Sequence, residues 1–243
     1  MAELAGLVAV VTGGTGAIGE AICRVFHREG AKVAFTYNKS SDKASALVEE
    51  LGQDVKGYQV SVLDEEAIKK FVASVVEDMG KIDILVNNAA LAQVMALPLI
   101  DEEDWDKLMD VNVKGPFLVT KAIARQMIAK RVGSIVNIGS LAGERIMEVP
   151  PHYAATKSCM GGFTTSLAWK LSRYNIRVNC VVPGLIEAGV GLNVPEKQRN
   201  QYKQFCTMGR LGEPMEVAEV VSFVASPRAS FLNGQKVFVD GGL

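Results

Sequence analysis

The sequence predicts an α/β protein, a doubly wound, seven-stranded parallel sheet with helices on both faces. Three observations predict it. Short, continuously apolar runs alternate with longer segments whose apolar residues recur at helical spacing. Continuous apolar runs are what strands buried on both faces require. A glycine-rich turn joins the first apolar run to the first helical segment. No Pro/Ser-rich linker, composition break or internal repeat divides the 243 residues, so one domain over 1–243 is expected.

Residues 7–11 read as a buried strand. Residues 17–29 are helical through Ile18, Ala21, Ile22, Val25 and Phe26, and Gly30 stops them. Residues 32–37 are the second strand, and 41–51 form a helix with Ala44, Leu47, Val48 and Leu51 on one face. A third strand is expected within 55–62, and Asp64 is placed to cap a helix over 65–78. The fourth strand is expected over 81–86. Two helical stretches, 102–113 and 114–130, follow in close succession, then a fifth strand over 134–138. A long helix over 153–174 leads into the sixth strand, 176–182. Residues 183–193 read as loop, 195–205 and 214–225 as helices, and 236–239 as the last strand. Right-handed crossovers between parallel strands give the doubly wound topology. The stretch at about 185–212 reads as an insertion near the C-terminal end of the sheet.

Composition narrows the function. Hydrophobic residues make up 49% and charged residues 22%, the balance of a chain that packs a core. Lys+Arg 26 against Asp+Glu 27 leaves a net charge of −1, so no bulk attraction for nucleic acid or an anionic membrane is expected. Cys23, Cys159, Cys180 and Cys206 form no C-x-x-C pair, and the histidines are His27 and His152. Free thiols are expected, with neither metal site nor disulfide framework. Residues 1–6 lack the charged start and apolar run of a signal peptide, and no apolar stretch reaches a membrane span, so a cytoplasmic protein is expected.

Two local patterns carry chemistry. Thr12-Gly13-Gly14-Thr15-Gly16-Ala17-Ile18-Gly19 lies between the first strand and the first helix, where a doubly wound sheet binds the pyrophosphate of a dinucleotide. Small residues let backbone approach phosphate, and the helix N-terminus offers N–H groups and a favourable dipole. Alone, the run is equally a tight strand-to-helix turn. Tyr153 and Lys157, four apart at the start of a helical segment, share one face. A phenol titrates near ~10 and needs a nearby cation to work as an acid–base group at neutral pH. Alone, such a pair is also a frequent accident of a solvated face.

Together these residues resemble the short-chain dehydrogenase/reductase family over essentially the whole chain. Thr12-Gly13…Gly19 is similar to the family's T-G-x-x-x-G-x-G. Asn87-Asn88-Ala89-Ala90 is similar to N-N-A-G, and Asn112 matches the family's helix asparagine. Ser140 precedes Tyr153 by thirteen residues, the family's spacing. Pro183-Gly184 follows the sixth strand and Asp240-Gly241-Gly242 closes the chain. The resemblance implies a Rossmann-type domain and a catalytic set of Asn112, Ser140, Tyr153 and Lys157. In it Tyr153 exchanges a proton with the substrate oxygen and Ser140 holds that oxygen. Lys157 lowers the tyrosine pKa and binds the nicotinamide ribose, and Asn112 bends its helix and holds a water linking Lys157 to solvent. It further implies dinucleotide contacts from Gly13, Thr15, Gly16, Ile18 and Gly19, from Tyr37, Asn38 and Lys39, and from Ser61 and Val62. Asn88, Ala89, Tyr153, Lys157, Pro183, Gly184 and Ile186 complete that set.

Within the family the chain is most similar to bacterial 3-oxoacyl-[acyl-carrier-protein] reductases and acetoacetyl-CoA reductases, through Met208-Gly209-Arg210-Leu211-Gly212-Glu213-Pro214 and Val217-Ala218. The implied activity is NADPH-dependent reduction of a 3-oxoacyl thioester. The alternatives are a dehydrogenase of a free sugar, cyclic alcohol, steroid or polyketide ketone, and a non-catalytic nucleotide-binding homologue. The second strand ends in Tyr37-Asn38-Lys39 with no carboxylate to grip a ribose 2′-OH, so NADP(H) is favoured over NAD(H). Gly16 and Ala17 depart from the common motif, as do Ser61, Ala90 and Ala188. Residues 91–94 lack a polar T-R-D, and 143–152 carries Met147, Val149, Pro150 and Pro151, so an apolar pocket is expected. Lys130, Arg131, Lys170 and Arg173 either dock an acidic acyl carrier protein or serve as helix C-terminal cations. The resemblance also implies a homotetramer pairing the two long helices.

Overall fold

The apolar runs pair as seven strands: β1 (Val8–Val11), β2 (Lys32–Tyr37), β3 (Val55–Gln59), β4 (Ile84–Asn87), β5 (Gly133–Ile138), β6 (Ile176–Pro183) and β7 (Lys236–Val239). The computed structural model describes residues 2–145 and 147–243. Met1, where the N-terminal reading starts, and Ile146, within the 143–152 stretch, lie outside the described residues. The strands form one parallel sheet in the order β3-β2-β1-β4-β5-β6-β7. Neighbours of β1 are β2 on one side and β4 on the other, so the winding direction reverses there. A crevice opens at the C-terminal ends of strands at such a point.

The helices are α1 (Ala17–Arg28), α2 (Ser41–Leu51), α3 (Glu65–Met79), α4 (Glu102–Met109), α5 (Gly115–Lys130), α6 (Pro151–Leu171), α7 (Glu196–Phe205) and α8 (Pro214–Ala225). They cover the sheet on both faces. Ala9 and Val11 of β1 pack with Ile22 and Phe26 of α1 and Val217 and Val221 of α8. Val8 and Val10, one position out of phase, pack with Val75 of α3, Ile123 of α5 and Leu171 of α6. This alternation explains the unbroken apolar runs. Each fully buried Ile or Phe contributes about 1.5–3 kcal/mol.

Local signals set the helix ends. Asp64 accepts from the Ala67 N–H at 2.9 Å and Gly80 closes α3 at φ 86°. Glu213 and Glu216 form a reciprocal capping box around Pro214 at the start of α8.

Four of the departures from the sequence reading have a clear local cause. β3 takes Val55–Gln59 of the 55–62 window, because Ser61 Oγ accepts from the Leu63 N–H at 3.3 Å and turns the chain towards α3. β4 begins at Ile84, not 81, because the Asp83 carboxylate takes the Val8 N–H at 2.9 Å and pairs with Lys81 at 2.9 Å. α4 and α5 are joined without a break by a π-turn, Asp110–Lys114, which carries Asn112. α6 starts at Pro151, two residues before Tyr153, since proline suits the first helical position. It passes into a 3-10 turn, Ser172–Tyr174, and Asn175 stops it at φ 59°.

Candidate active site

At the β1/β4 reversal, the glycine turn and the start of the β4 loop interlock. Gly13 has φ 66°, and a Cβ there would lie 2.9 Å from the Ala89 Cα. A Cβ on Gly19 would lie 2.2 Å from the Gly13 carbonyl oxygen. Thr12 Oγ1 accepts from the N–H groups of Asn88 and Ala89, both at 3.0 Å. Asn88 Nδ2 donates to the carbonyls of Thr12 and Gly13, both at 3.0 Å. From β2, the Thr36 carbonyl accepts from the Gly14 N–H at 2.9 Å. The turn is therefore held from both sides. No side chain caps the N-terminus of α1 at Gly16, which leaves first-turn N–H groups and the positive end of the helix dipole for an anion. The shape and donors fit a dinucleotide pyrophosphate.

A cleft of about 510 Å³ runs from this turn across the C-terminal edge of the sheet. Its walls include Gly13, Thr15, Gly16, Ile18, Gly19, Tyr37, Asn38, Ser61, Val62, Asn88 and Ala89 at one end. Ser140, Tyr153, Lys157, Pro183, Gly184 and Ile186 form the other. Lys39 and Asn112 are not in the walls. Lys39 is exposed one residue beyond Asn38, and Asn112 is buried behind Val111, which does line the cleft.

Ser140 follows β5 and caps a short 3-10 turn, Leu141–Gly143. That turn lies on α6: a Cβ on Gly143 would be 2.5 Å from the Ser158 nitrogen, and Ser158 Oγ donates to the Gly143 carbonyl at 2.9 Å. This close approach brings Ser140 near the Tyr153 hydroxyl, and both line the cleft. Lys157, one helical turn on, is buried; its Nζ donates to the Ile138 carbonyl at 3.0 Å and sits 5.9 Å from the Tyr153 ring centroid. Burial pushes the lysine pKa down to about 8, partly offset by the nearby Cys180 sulfur.

Tyr153 departs from expectation. Its pKa is raised above the ordinary phenol value because burial outweighs the opposing influence of the nearby Ser140 hydroxyl. The depressed value expected beside a cation is not met, since burial dominates and the Lys157 ammonium is hydrogen-bonded to the Ile138 carbonyl. At neutral pH the phenol holds its proton.

Asn112 is held by the π-turn with its side chain fully engaged. Oδ1 accepts from the Leu91 N–H at 2.7 Å, and Nδ2 donates to the Leu91 carbonyl at 2.8 Å and to Thr156 Oγ1 at 3.0 Å. It thus ties the loop after β4 to α6 next to Lys157. Beyond Ser140 and Tyr153 the cleft is walled by Leu141, Met147, Val149, Val190 and Val194. Met147 and Val149 were expected there. Val190 and Val194 were not singled out within the 185–212 stretch; Val190 sits on a 3-10 segment, Gly189–Asn193, Val194 follows it, and their loop-like sequence carries no periodic signal.

A family model described as enoyl-(acyl carrier protein) reductase matches residues 14–243. A 3-oxoacyl-[acyl-carrier-protein] reductase of Thermotoga maritima is 40% identical, with 99% of each chain covered. A solved structure of a short-chain dehydrogenase/reductase, glucose/ribitol dehydrogenase, from Brucella melitensis superposes with a TM-score of 0.92 at 31% identity, covering 99% of this chain and 97% of that one. The chain belongs to the short-chain dehydrogenase/reductase family. A 3-oxoacyl-[acyl-carrier protein] reductase structure from the same organism gives 0.91 at 33% identity, covering 100% of this chain and 92% of the other. As a short-chain dehydrogenase/reductase, the protein is an NAD(P)-dependent oxidoreductase of the CH–OH/keto couple. Among the described residues, no helix of this dehydrogenase/reductase is long and apolar enough to cross a membrane, and no cluster of His, Cys, Asp and Glu could hold a metal.

Proposed function

We propose that the protein is an NADPH-dependent ketoreductase that converts a 3-oxoacyl thioester to the 3-hydroxyacyl form. The observation that carries this is the convergence of Ser140, Tyr153 and Lys157 at the foot of an apolar channel walled by Met147, Val149, Val190 and Val194. When bound, the reduced nicotinamide supplies the hydride that the carbonyl carbon accepts. Tyr153 gives its proton to the carbonyl oxygen, and its raised pKa keeps that proton available at neutral pH. Ser140 donates a hydrogen bond to the same oxygen. Lys157 holds the nicotinamide ribose, and its ammonium stabilises the phenolate left on Tyr153. Asn112 keeps the π-turn open beside Lys157, where a water returns protons to the lysine.

Three observations support NADP(H). The cleft end at Tyr37 and Asn38 has no carboxylate to repel a 2′-phosphate, Lys39 is exposed one residue further on, and no side chain caps α2 at Ser40. For the carrier, Arg131 and Arg173 flank the Tyr174 ring at 6.0 and 5.7 Å and form a basic surface with Lys130 and Lys170 that suits an acidic acyl carrier protein. The exposed Trp169 on α6 and Phe117 on α5 support a homotetramer built on these helices. The single domain with a substrate loop at about 185–212, and a cytoplasmic location, belong to the same reading.

A free ketone is the second reading. The apolar wall favours a cyclic or steroid ketone over a sugar. Following nicotinamide absorbance with acetoacetyl-CoA and with a cyclic ketone, each with NADPH and NADH, separates the two. Turnover confined to the free ketone overturns the thioester assignment.

A further inference from the structure

We propose that Lys236 and Glu144 form a tether that positions the apolar substrate wall, an inference that rests on the ketoreductase reading. Lys236 opens β7, the edge strand, and lies far from the reacting groups in sequence. Its Nζ meets both carboxylate oxygens of Glu144, at 2.7 and 2.8 Å. Glu144 follows the 3-10 turn that Ser140 caps and precedes Met147 and Val149 in the cleft wall. The neighbouring Arg145 stacks its guanidinium 5.1 Å from the centroid of Phe238, also on β7. The wall segment is therefore fastened to β7 by two adjacent contacts just before it reaches the cleft.

Gly161 of α6 makes the tether possible. A Cβ there would lie 2.5 Å from Lys236 Cε and 2.7 Å from Nζ. The lysine end runs through the space a side chain would fill. The same C-terminal stretch also holds α7 and the residues after it, downstream of the Val190 side of the cleft. Tyr202 of α7 donates to the Asp240 carbonyl at 2.8 Å, and Thr207 Oγ1 donates to the Gly241 carbonyl at 2.8 Å. Residues 236–241 thus hold both the Met147 side of the channel and α7, and Lys236–Glu144 is the only ion pair on the Met147 side among the described residues. Glu144 is largely shielded from water, with its side chain 15% exposed, so the pair fixes a direction as well as a distance.

The tether acts on substrate fit, not on proton transfer, so a KM-against-kcat split reveals it. In K236M the KM for acetoacetyl-CoA rises about twofold to fivefold, the change a partly exposed ion pair supports, while kcat and the Kd for NADPH stay at wild-type values. G161A displaces the lysine end without removing either charge and replaces a helical glycine by the better helix former. It raises KM likewise, with a thermal midpoint unchanged or higher. The exchange E144K/K236E restores KM. Amide hydrogen exchange of the peptide containing Met147 and Val149 quickens in K236M and G161A and returns in the exchanged pair. Unchanged KM and unchanged exchange in both single variants overturn the tether, as does a loss of kcat with a lowered midpoint in G161A. If the wild type fails to turn over acetoacetyl-CoA, the ketoreductase reading fails, and the exchange data alone decide the tether.

Discussion

Replacing Lys157 by methionine should make the protein more stable and nearly inactive. The folded chain holds the lysine with a pKa of about 8 against an ordinary 10.5 because its ammonium is buried. Each pH unit of displacement corresponds to about 1.4 kcal/mol, so carrying that charge costs the fold about 3 kcal/mol at neutral pH. The methionine variant loses the hydrogen bond to the Ile138 carbonyl, worth about 1 kcal/mol. The net gain is about 2 kcal/mol, or about 4–8 °C in the midpoint for a domain of this size. Between pH 8 and 10.5 the unfolded lysine keeps its proton while the folded one sheds it, so wild-type stability from this group rises with pH. The variant's advantage is therefore full below pH 8 and vanishes towards 10.5. Scanning calorimetry of both proteins at about pH 7 and about pH 10 measures it. A variant less stable than wild type at neutral pH, or an advantage independent of pH, refutes the reasoning.

Other outcomes follow from the same geometry. Tyr153→Phe should lower turnover about 10²–10⁴-fold, the range of a lost general acid, while fluorescence titration finds NADPH affinity unchanged; near-normal turnover removes the tyrosine from the mechanism. Tyr37→Asp should lower the NADPH-to-NADH ratio of kcat/KM about tenfold by charge repulsion; an unchanged ratio means the phosphate is held elsewhere. Asn88→Ala removes both donors to the Thr12 and Gly13 carbonyls and should cost about 1–2 kcal/mol in a urea melt, with a raised KM for NADPH.

The topology was legible because each strand is buried on both faces and reads as an apolar run. Boundaries set by a single side chain were not. Asp83 replaces a backbone partner of Val8 and delays β4, which no periodicity reports. The π-turn at Asn112 lies at the junction of the two helical stretches, 102–113 and 114–130, where apolar periodicity does not tell a continuous π-turn from a break. The candidate catalytic residues were legible through the family resemblance, Ser140 and Tyr153 through the family's spacing, and these two meet in the cleft. Their electrostatics were not, because the raised Tyr153 pKa depends on burial by segments distant in the chain. Asn88 was expected as a ligand contact and lines the cleft, yet its amide is engaged in holding the glycine turn. Val190 and Val194 reach the cleft only because the 3-10 segment folds back over it.

The most direct test of the account is hydride tracing. Acetoacetyl-CoA is incubated with the wild-type protein and NADPH deuterated at the transferable C4 position, and the products are analysed by mass spectrometry and NMR. The expected product is a 3-hydroxybutyryl thioester carrying a single deuterium on its carbinol carbon, formed much more slowly by Tyr153→Phe. NADPH consumption without label at that carbon, or label delivered only to the chain of an enoyl thioester offered in its place, contradicts it.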